Sequence, residues 1–489
     1  MKSGITALPA LFLITLGTLT PAETTQVAEF NDLRTQLEAL KEEQARSLQR
    51  IESLEKRIDA IEKAQHPPVA YTQLIPGAQA QVTPITTAPQ LQQRELFSQD
   101  RTAAARIDNV PLDPDMTGFF RLGNTPTMLR LGGYAKADFI HDFKLPGNPD
   151  MFVTSSFPLE PAAPANSSNI HIRQSRISAE IRRQADFGNL RAYFEGDFFG
   201  AGPTIFNLRH LYGQVHNFLV GWSFSAFMDI DSFPDTVDFE GPGGGVFLRQ
   251  PEVRYTWPLT KANSVAFSVE KPTTDILVTN PNYPNIQLAT PTSPIPDFVV
   301  RYRYEDPRGH VQLGTVLRSV GGAAQVPGTT SFVTAHTFGW GLNLSGAWQT
   351  YGKDSILFQL AYGRGIGRYI EDLVGLGADA SLNASKHLEA TPALGTFFAY
   401  QHYWKKPNWR STATYGYAEV QNQAGHPATF YHKTNYLSGN VIWNPVGSLN
   451  IGAEYMYGNL TVKDGSRGFG SRMQLSVQYD LFKWAREAK

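Results

Sequence analysis

Polar and apolar residues alternate most clearly near the end of the chain, from Arg472 to Phe482. On an extended strand this order separates an apolar face from a polar one. The apolar face would carry Met473, Leu475, Val477, Tyr479 and Leu481, and the polar face Arg472, Gln474, Ser476, Gln478 and Asp480. The apolar face of an outer-membrane barrel strand contacts lipid, and the polar face contacts a water-filled lumen. The pattern therefore predicts a final barrel strand that ends at Phe482, followed by a seven-residue tail, 483–489.

Similar alternating segments continue back to about Thr127, and the connections between them differ in length. Short, turn-like connections begin at Ala185, Asp306, Tyr351, Lys405 and Asn444. Long ones are predicted at 143–169, 229–246, 272–296, 319–332, 365–391 and 421–432. Short periplasmic turns and long external loops are typical of outer-membrane barrels. We predict about sixteen antiparallel strands over 116–482; a soluble β-sandwich or propeller would not explain loops that lie on one side.

Three different segments precede the barrel. Lys2, the apolar stretch from Leu8 to Leu19 and the small residues at 20–22 predict a signal peptide over 1–22. Residues 23–64 carry a heptad pattern, which predicts an α-helical coiled coil; its a and d positions are Phe30, Leu33, Leu37, Leu40, Gln44, Ser47, Ile51, Leu54, Ile58 and Ile61. Two and three strands both remain open, as does a lone amphipathic helix. The Pro/Gln-rich stretch at 65–115 predicts an extended linker.

Composition narrows the class of protein further. The 489 residues include no cysteine, which excludes a disulfide scaffold and thiolate metal sites. A formal net charge of −1 gives no basis for nucleic-acid binding. Aromatic residues make up 12%, in keeping with aromatic girdles at both membrane surfaces. After the N-terminus no apolar run reaches the roughly 18 residues of a membrane-spanning helix. The predicted location is the outer membrane of a Gram-negative bacterium, with the coiled coil in the periplasm.

Charged residues within the strands predict the lining of a pore. In the strand from Asp297 to Glu305, Phe298, Val300 and Tyr302 share one face, so Arg301 and Arg303 must face the lumen. Arg or Lys on the lipid face would cost about 2–4 kcal/mol at mid-membrane. The same reasoning predicts ten pore-lining, anion-selecting residues: Arg130, Lys136, Arg176, Arg182, Arg191, Arg254, Arg301, Arg303, Arg318 and Arg410. For any one of them, pairing with a neighbouring acid is the alternative.

The connection from Asp229 to Val246 is the predicted constriction loop. It is the third long connection when the short link at 199–204 is counted as the second, and its Gly-rich end permits tight re-entry into the lumen. Asp235, Asp238 and Glu240 could then face the arginines across the pore. An acidic external loop is the alternative.

No catalytic constellation is present, since the P-loop, HExxH and GxSxG patterns are all missing. His210 and His216 more simply line the wall than bind a metal. We therefore expect no enzyme activity, no catalytic or metal-binding residues and no cofactor.

Two short motifs carry a resemblance to a known family: the run from Leu129 to Ile140, LRLGGYAKADFI, and the run from Ile172 to Ile177, IRQSRI. Together with the order of signal peptide, coiled coil, linker and barrel, the chain resembles the DcaP-like outer-membrane porins. The resemblance implies a trimeric diffusion channel that prefers anionic solutes such as dicarboxylates, with a periplasmic N-terminal coiled coil.

The sequence thus predicts a homotrimeric sixteen-stranded porin for passive diffusion of small anionic solutes. Its expected partners are further copies of the chain, outer-membrane lipid and a periplasmic or cell-wall partner of the coiled coil, and no nucleic acid. Two alternatives stay open. One is a sugar-type porin in which aromatic residues such as Tyr193 and Tyr212 stack on solutes. The other is a structural tether between outer membrane and cell wall, in which the pore is incidental.

Overall fold

The structure is a computed structural model. It describes Lys41 and residues 118–144, 147–162, 165–186, 188–200, 202, 205–277, 288–325, 332–385, 387–405 and 408–482. The predicted signal peptide, coiled coil, linker and C-terminal tail lie outside these residues, apart from Lys41. None of the helices among the described residues is long and apolar enough to cross a membrane.

Sixteen antiparallel strands form one closed sheet. They are β1 (Thr127–Asp142), β2 (Arg176–Ala185), β3 (Gly188–Asp197), β4 (Asn207–Val215), β5 (Phe218–Phe224), β6 (Arg249–Pro258), β7 (Asn263–Glu270), β8 (Asp297–Asp306), β9 (Gly309–Gln325), β10 (Phe332–Gln349), β11 (Ser355–Arg364), β12 (Pro392–Tyr403), β13 (Trp409–Val420), β14 (Tyr431–Val446), β15 (Leu449–Val462) and β16 (Arg467–Asp480). Each pairs with its neighbours in chain order. The barrel closes where β16 pairs with β1 through nine residue pairs, from Tyr134 and Asp480 to Asp142 and Arg472. The predicted barrel of about sixteen strands is confirmed.

Short elements lie in the connections and beside the first strand. The short strands are Phe120–Arg121, Ser167–His171, Leu288–Thr292, Ala380–Leu382 and Leu388–Ala390. The 3₁₀ helices are Thr154–Ser156, Ile230–Ser232, Gly367–Tyr369 and Glu371–Leu373.

The prediction of a long connection at 319–332 is wrong. Strand β9 continues to Gln325 and β10 starts at Phe332, so only 326–331 connect them. The small and β-branched residues from Ser319 to Ala324 pair with β10 throughout and so extend the ladder. The turn at 463–466, between β15 and β16, is also short although it lies on the side of the long loops.

The main apolar core lies inside the barrel, because three connections fold into the lumen. Phe152 and Phe157 come from the first connection, with ring centroids 5.2 Å apart. Phe233, from the third, packs against Phe397 of β12 at 5.2 Å. Tyr369, from the sixth, completes the cluster. The cluster thus joins inward-folded chain to the wall.

Candidate functional site

The inner face of the wall carries the polar side chains, as the alternation predicted. Along β16, Arg472, Gln474 and Ser476 are buried, while Met473 and Leu475 are exposed at 42% and 45% on the outer face. All ten basic residues predicted to line the pore have inward side chains. Nine are buried in the barrel interior, and the tenth, Arg130, reaches the buried Glu180 at 2.5 Å.

The segment from Asp229 to Val246 lies within the barrel. It leaves the wall between β5 and β6 and reaches strands on the opposite side of the ring. The backbone N–H groups of Val237 and Asp238 donate to Glu454 of β15 at 2.6 and 2.9 Å. Lys136 of β1 donates to the Val237 carbonyl at 2.7 Å. The segment therefore crosses the lumen.

Gly244 allows the Asp229–Val246 segment to run close against the far wall of the barrel. A Cβ at Gly244 would lie 2.3 Å from the Tyr417 carbonyl oxygen and 2.5 Å from that of Thr396. Since both atoms belong to the backbone, a larger residue there would push the segment off the wall. Gln359 of β11 fixes the same stretch by donating to the Gly244 carbonyl at 3.2 Å and accepting from the Val246 N–H at 3.0 Å.

Two of the segment's three predicted acids contact arginines. Asp235 pairs with Arg410 of β13 at 2.7 Å. Asp238 lies 3.7 Å from Arg472 of β16 and accepts hydrogen bonds from the Phe152 N–H. Glu240 differs, because burial and then the carboxylates of Asp372 and Asp238 raise its pKa to about 8. Asp235 and Asp238 thus hold the segment to the wall, and Glu240 favours its neutral form at pH 7.

Two further connections lie beside this segment. Asp372, in the connection after β11, accepts hydrogen bonds from the Thr154 hydroxyl and, at 2.5 Å, from the Thr434 hydroxyl of β14. Its own N–H donates to the Gly243 carbonyl at 3.0 Å. One residue thus links the first, third and sixth connections to the barrel wall.

Three of the ten predicted basic residues bind carboxylates of the inward-folded connections. Arg303 contacts Asp229 at 3.0 Å and Asp231 at 2.7 Å, in addition to Glu305 on its own strand at 2.9 Å. Arg318 contacts Asp379 at 3.2 Å. Arg410 holds Asp235, as described above. Much of the charge of these three side chains is balanced locally.

Positive charge is in local excess around Glu180, on the inner face of β1 to β3. The carboxylate of Glu180 is shared by Arg130 at 2.5 Å, Arg182 at 2.9 Å and Arg191 at 2.7 Å. The Arg191 guanidinium also lies 5.6 Å from the ring centroids of Tyr193 and Tyr212, which stack on each other at 5.6 Å. These four charged side chains hold two positive charges in excess.

Of the other predicted residues, three each pair with an acid and one is buried on the inner face. Arg176 lies 3.3 Å from Glu195, Arg254 pairs with Glu252 at 2.6 Å, and Lys136 lies 3.2 Å from Asp138. Arg301 is buried on the inner face of β8.

Comparison with known proteins decides the family. A family model described as DcaP outer membrane protein matches residues 122–481. The chain belongs to the DcaP outer membrane protein family. The resemblance predicted from the sequence is confirmed, and family and barrel fold together place the chain in the outer membrane. No curated protein matches the sequence.

Several solved structures align with this DcaP-family chain. The crystal structure of the outer membrane channel DcaP of Acinetobacter baumannii aligns with a TM-score of 0.64 and 19% identity, covering 74% of this chain and 99% of that one. OmpT of Vibrio cholerae aligns with a TM-score of 0.44 and 14% identity, covering 73% and 99%. Salmonella typhi OmpF in complex with daunomycin aligns with a TM-score of 0.45 and 10% identity, covering 74% and 100%.

Two buried arginines of the DcaP-family barrel were missed as site residues. Arg209 contacts Glu195 at 3.2 Å and Asp197 at 2.6 Å. Simple alternation from His210 places it outside, but the register shifts between Glu195 and Gly196, so Arg209 and His210 both point inward. Arg472, in contrast, could have been found, because it lies on the polar face of the last strand. Among the described residues no group of three or more His, Cys, Asp or Glu side chains could hold a metal ion.

Proposed function

We propose that the chain is a homotrimeric porin through which small anionic solutes, such as dicarboxylates, diffuse passively across the outer membrane of a Gram-negative bacterium. The observation that carries this proposal is the shared carboxylate of Glu180. Three guanidinium groups around one acid leave a local net positive charge around Glu180. Positive side chains lining a narrow pore attract anions and replace part of their lost hydration.

The inward-folded connections support the same proposal. A sixteen-stranded barrel leaves an aqueous channel wider than a small solute, so selectivity requires chain that fills part of its cross-section. The Asp229–Val246 segment crosses the lumen and is held there by Glu454, Arg410 and Lys136. We infer that the solute passes between this segment and the arginines around Glu180.

The proposal also assigns a role to each segment of the chain. Residues 1–22 act as a signal peptide, 23–64 form a periplasmic coiled coil, 65–115 form a linker, 116–482 form the barrel, and 483–489 are a tail. The heptads of the coiled coil aid a trimer whose main contacts are made by the barrel wall.

Replacing Arg182 and Arg191 together with serine tests the proposal. Arg130 remains to pair Glu180, so the double variant removes positive charge without leaving that buried carboxylate alone. We expect the reversal potential in a salt gradient across a planar bilayer to shift markedly towards cation selectivity. Arg364→Ser is the control, because Arg364 is 46% exposed and pairs with Glu389 at the loop side of β11. An unchanged reversal potential in the double variant would contradict the proposal.

A sugar-type porin is the second candidate, and its candidate residues are Tyr193 and Tyr212, which stack on each other inside the barrel. Sugars bind to aromatic faces in porins of that type, whereas anions need the neighbouring arginines. Current block by an uncharged oligosaccharide, relieved by Tyr212→Leu, would support this function. Current block by small carboxylates, relieved by the arginine variants, would support the anion channel.

A further inference from the structure

A short segment ahead of the first barrel strand reaches the inner face of the wall. The strand Phe120–Arg121 pairs with the start of β1, where Phe120 lies opposite Leu129. This edge of β1 is open to it, because β16 pairs with β1 only as far as Tyr134. Phe120 and Leu129 share the outer face, on which Phe120 is 44% exposed. Phe119, one position earlier on an extended chain, therefore points inward.

The Phe119 ring contacts two of the arginines around Glu180. Its centroid lies 4.8 Å from the guanidinium carbon of Arg130 and 4.7 Å from that of Arg182. A guanidinium over an aromatic ring, within about 6 Å of the centroid, is attracted by the negative charge of the ring face. Both arginines are therefore held by the carboxylate of Glu180 and by the ring of Phe119.

This ring contact matters because three positive charges lie close together. Arg182 and Arg191 are direct partners across β2 and β3, and like charges in that arrangement repel each other. The carboxylate of Glu180 is shared by all three arginines. Arg191 also lies near an aromatic ring, that of Tyr212, at 5.6 Å. The attraction of the ring faces thus offsets part of the repulsion within the cluster.

An aromatic ring has an effect here that a second acid could not have. A carboxylate in the place of the Phe119 ring would also hold Arg130 and Arg182, but it would cancel one of the two positive charges in excess. A ring attracts a guanidinium without neutralising it. Because it covers a face of the guanidinium, the N–H groups at the edge can still donate to a carboxylate. The arginines are thus kept in place with their charge available to a solute.

We propose that Phe119 determines the anion specificity of the pore, because its ring positions Arg130 and Arg182 to bind the carboxylate of a passing solute. The inference rests on the proposed function and adds to its site a residue from outside the sixteen strands. Phe119 acts through the arginines and is a positioning residue. Its neighbour Phe120 has the same side chain on the outer face and has no such role.

Fluorinated phenylalanines provide the test. Analogues with one, two or three ring fluorines are placed at position 119 of the full-length chain, where they keep the shape of the ring and make its face progressively less negative. The same series at position 120 is the matched control, since that ring lies on the outer face. In planar bilayers we measure the succinate concentration that halves the chloride current, and the reversal potential in a salt gradient.

We expect the half-blocking concentration of succinate to rise with each fluorine at position 119, by about fivefold over the series. The reversal potential should move towards cation selectivity in parallel. The series at position 120 should change neither quantity. A half-blocking concentration that stays constant through the series at position 119 would overturn the inference, because a ring that only fills space does not depend on the charge of its face.

Phe119→Trp and Phe119→Leu give a second measurement with natural residues. The indole ring attracts cations more strongly than the phenyl ring, so the first variant should keep the block by succinate. Leucine is apolar but has no aromatic face, so the second variant should weaken the block several-fold, whereas Phe120→Leu should leave it unchanged. Equal block in the tryptophan and leucine variants at position 119 would contradict the role proposed here.

These results can be distinguished from a failure of the proposed function. If the Arg182 and Arg191 double variant loses anion selectivity while the fluorinated series at position 119 has no effect, the anion channel stands and the role of Phe119 fails. If succinate does not block even the unchanged chain, and the arginine variant keeps its reversal potential, both proposals fail together.

Discussion

At the scale of single residues, the carboxylates beside Asp372 form an unusual cluster. Glu371 donates its N–H to the Gly245 carbonyl at 2.9 Å, so it lies against the same segment as Glu240. Burial, followed by the charges of Glu240 and Asp372, raises the pKa of Glu371, which Arg249 opposes. Asp238, held by Arg472, faces the group from the third connection. Ionising Glu240 or Glu371 therefore adds negative charge where the third and sixth connections are in contact.

This cluster predicts a pH-dependent pore. The pKa of Glu240 lies at about 8 in the folded chain and at 4.5 ordinarily, so between these values the folded state retains a proton that the unfolded state releases. Stability therefore falls as the pH rises through this window. We expect single-channel conductance to rise and become less steady as pH passes from about 6 to about 9, because repulsion loosens the inward-folded connections.

Glu240→Gln should remove most of this pH dependence of the conductance. At high pH the variant should also have a higher melting temperature than the unchanged chain. At a pH below the ordinary pKa of a carboxyl group, the two proteins should melt at the same temperature. Glu389→Gln is the control, because Glu389 is an exposed glutamate of the sixth connection, paired with Arg364. Identical conductance–pH profiles for the Glu240→Gln variant and the unchanged chain would contradict the prediction.

At the scale of elements, the Asp229–Val246 segment is the main obstacle within the barrel. Deleting Phe233 to Gly243 removes the contacts with Arg410, Glu454 and Lys136 and leaves the strands themselves untouched. We expect single-channel conductance to increase about twofold or more, since the cross-section of a sixteen-stranded barrel is much wider than a small solute. Circular dichroism should still show the β-sheet.

If conductance stayed the same after this deletion, the constriction would have to come from the first or the sixth connection.

A milder variant distinguishes the effect of moving the Asp229–Val246 segment from the effect of removing it. Gly244→Leu places a side chain against the backbone of Tyr417 and Thr396, so it should move the segment without removing any of its anchoring residues.

The strands could be predicted from the sequence because each one shows its own alternation of polar and apolar residues. Lipid outside and water inside impose alternation on every strand, so the inward direction of Arg301 and Arg303 followed from their neighbours alone. Arg209 broke the rule, since a local shift in register depends on how two strands pair. The partners of Arg303 could not be predicted either. Asp229 and Asp231 reach it only because a connection more than 70 positions earlier in the chain folds into the lumen.

At the scale of the whole molecule, all sixteen strands of the closed barrel lie between Thr127 and Asp480. We predict that deleting residues 23–114, with the signal peptide kept, leaves the trimer and its conductance intact. Native mass measurement and planar-bilayer recording check the two parts. A cell-envelope defect in the deleted strain, with unchanged conductance, would instead favour the structural tether.

The seam between β1 and β16 also affects how the chain folds. A buried ion pair across it joins Asp142 and Arg472 at 2.7 Å, although 330 positions separate them along the chain. Contacts between such distant residues are slow to form, because a long stretch of chain must be ordered first. Until the last strand arrives, the sheet has two unpaired edges that could bind other chains. Closure of the ring is therefore the step at which a newly exported chain stops being prone to aggregation.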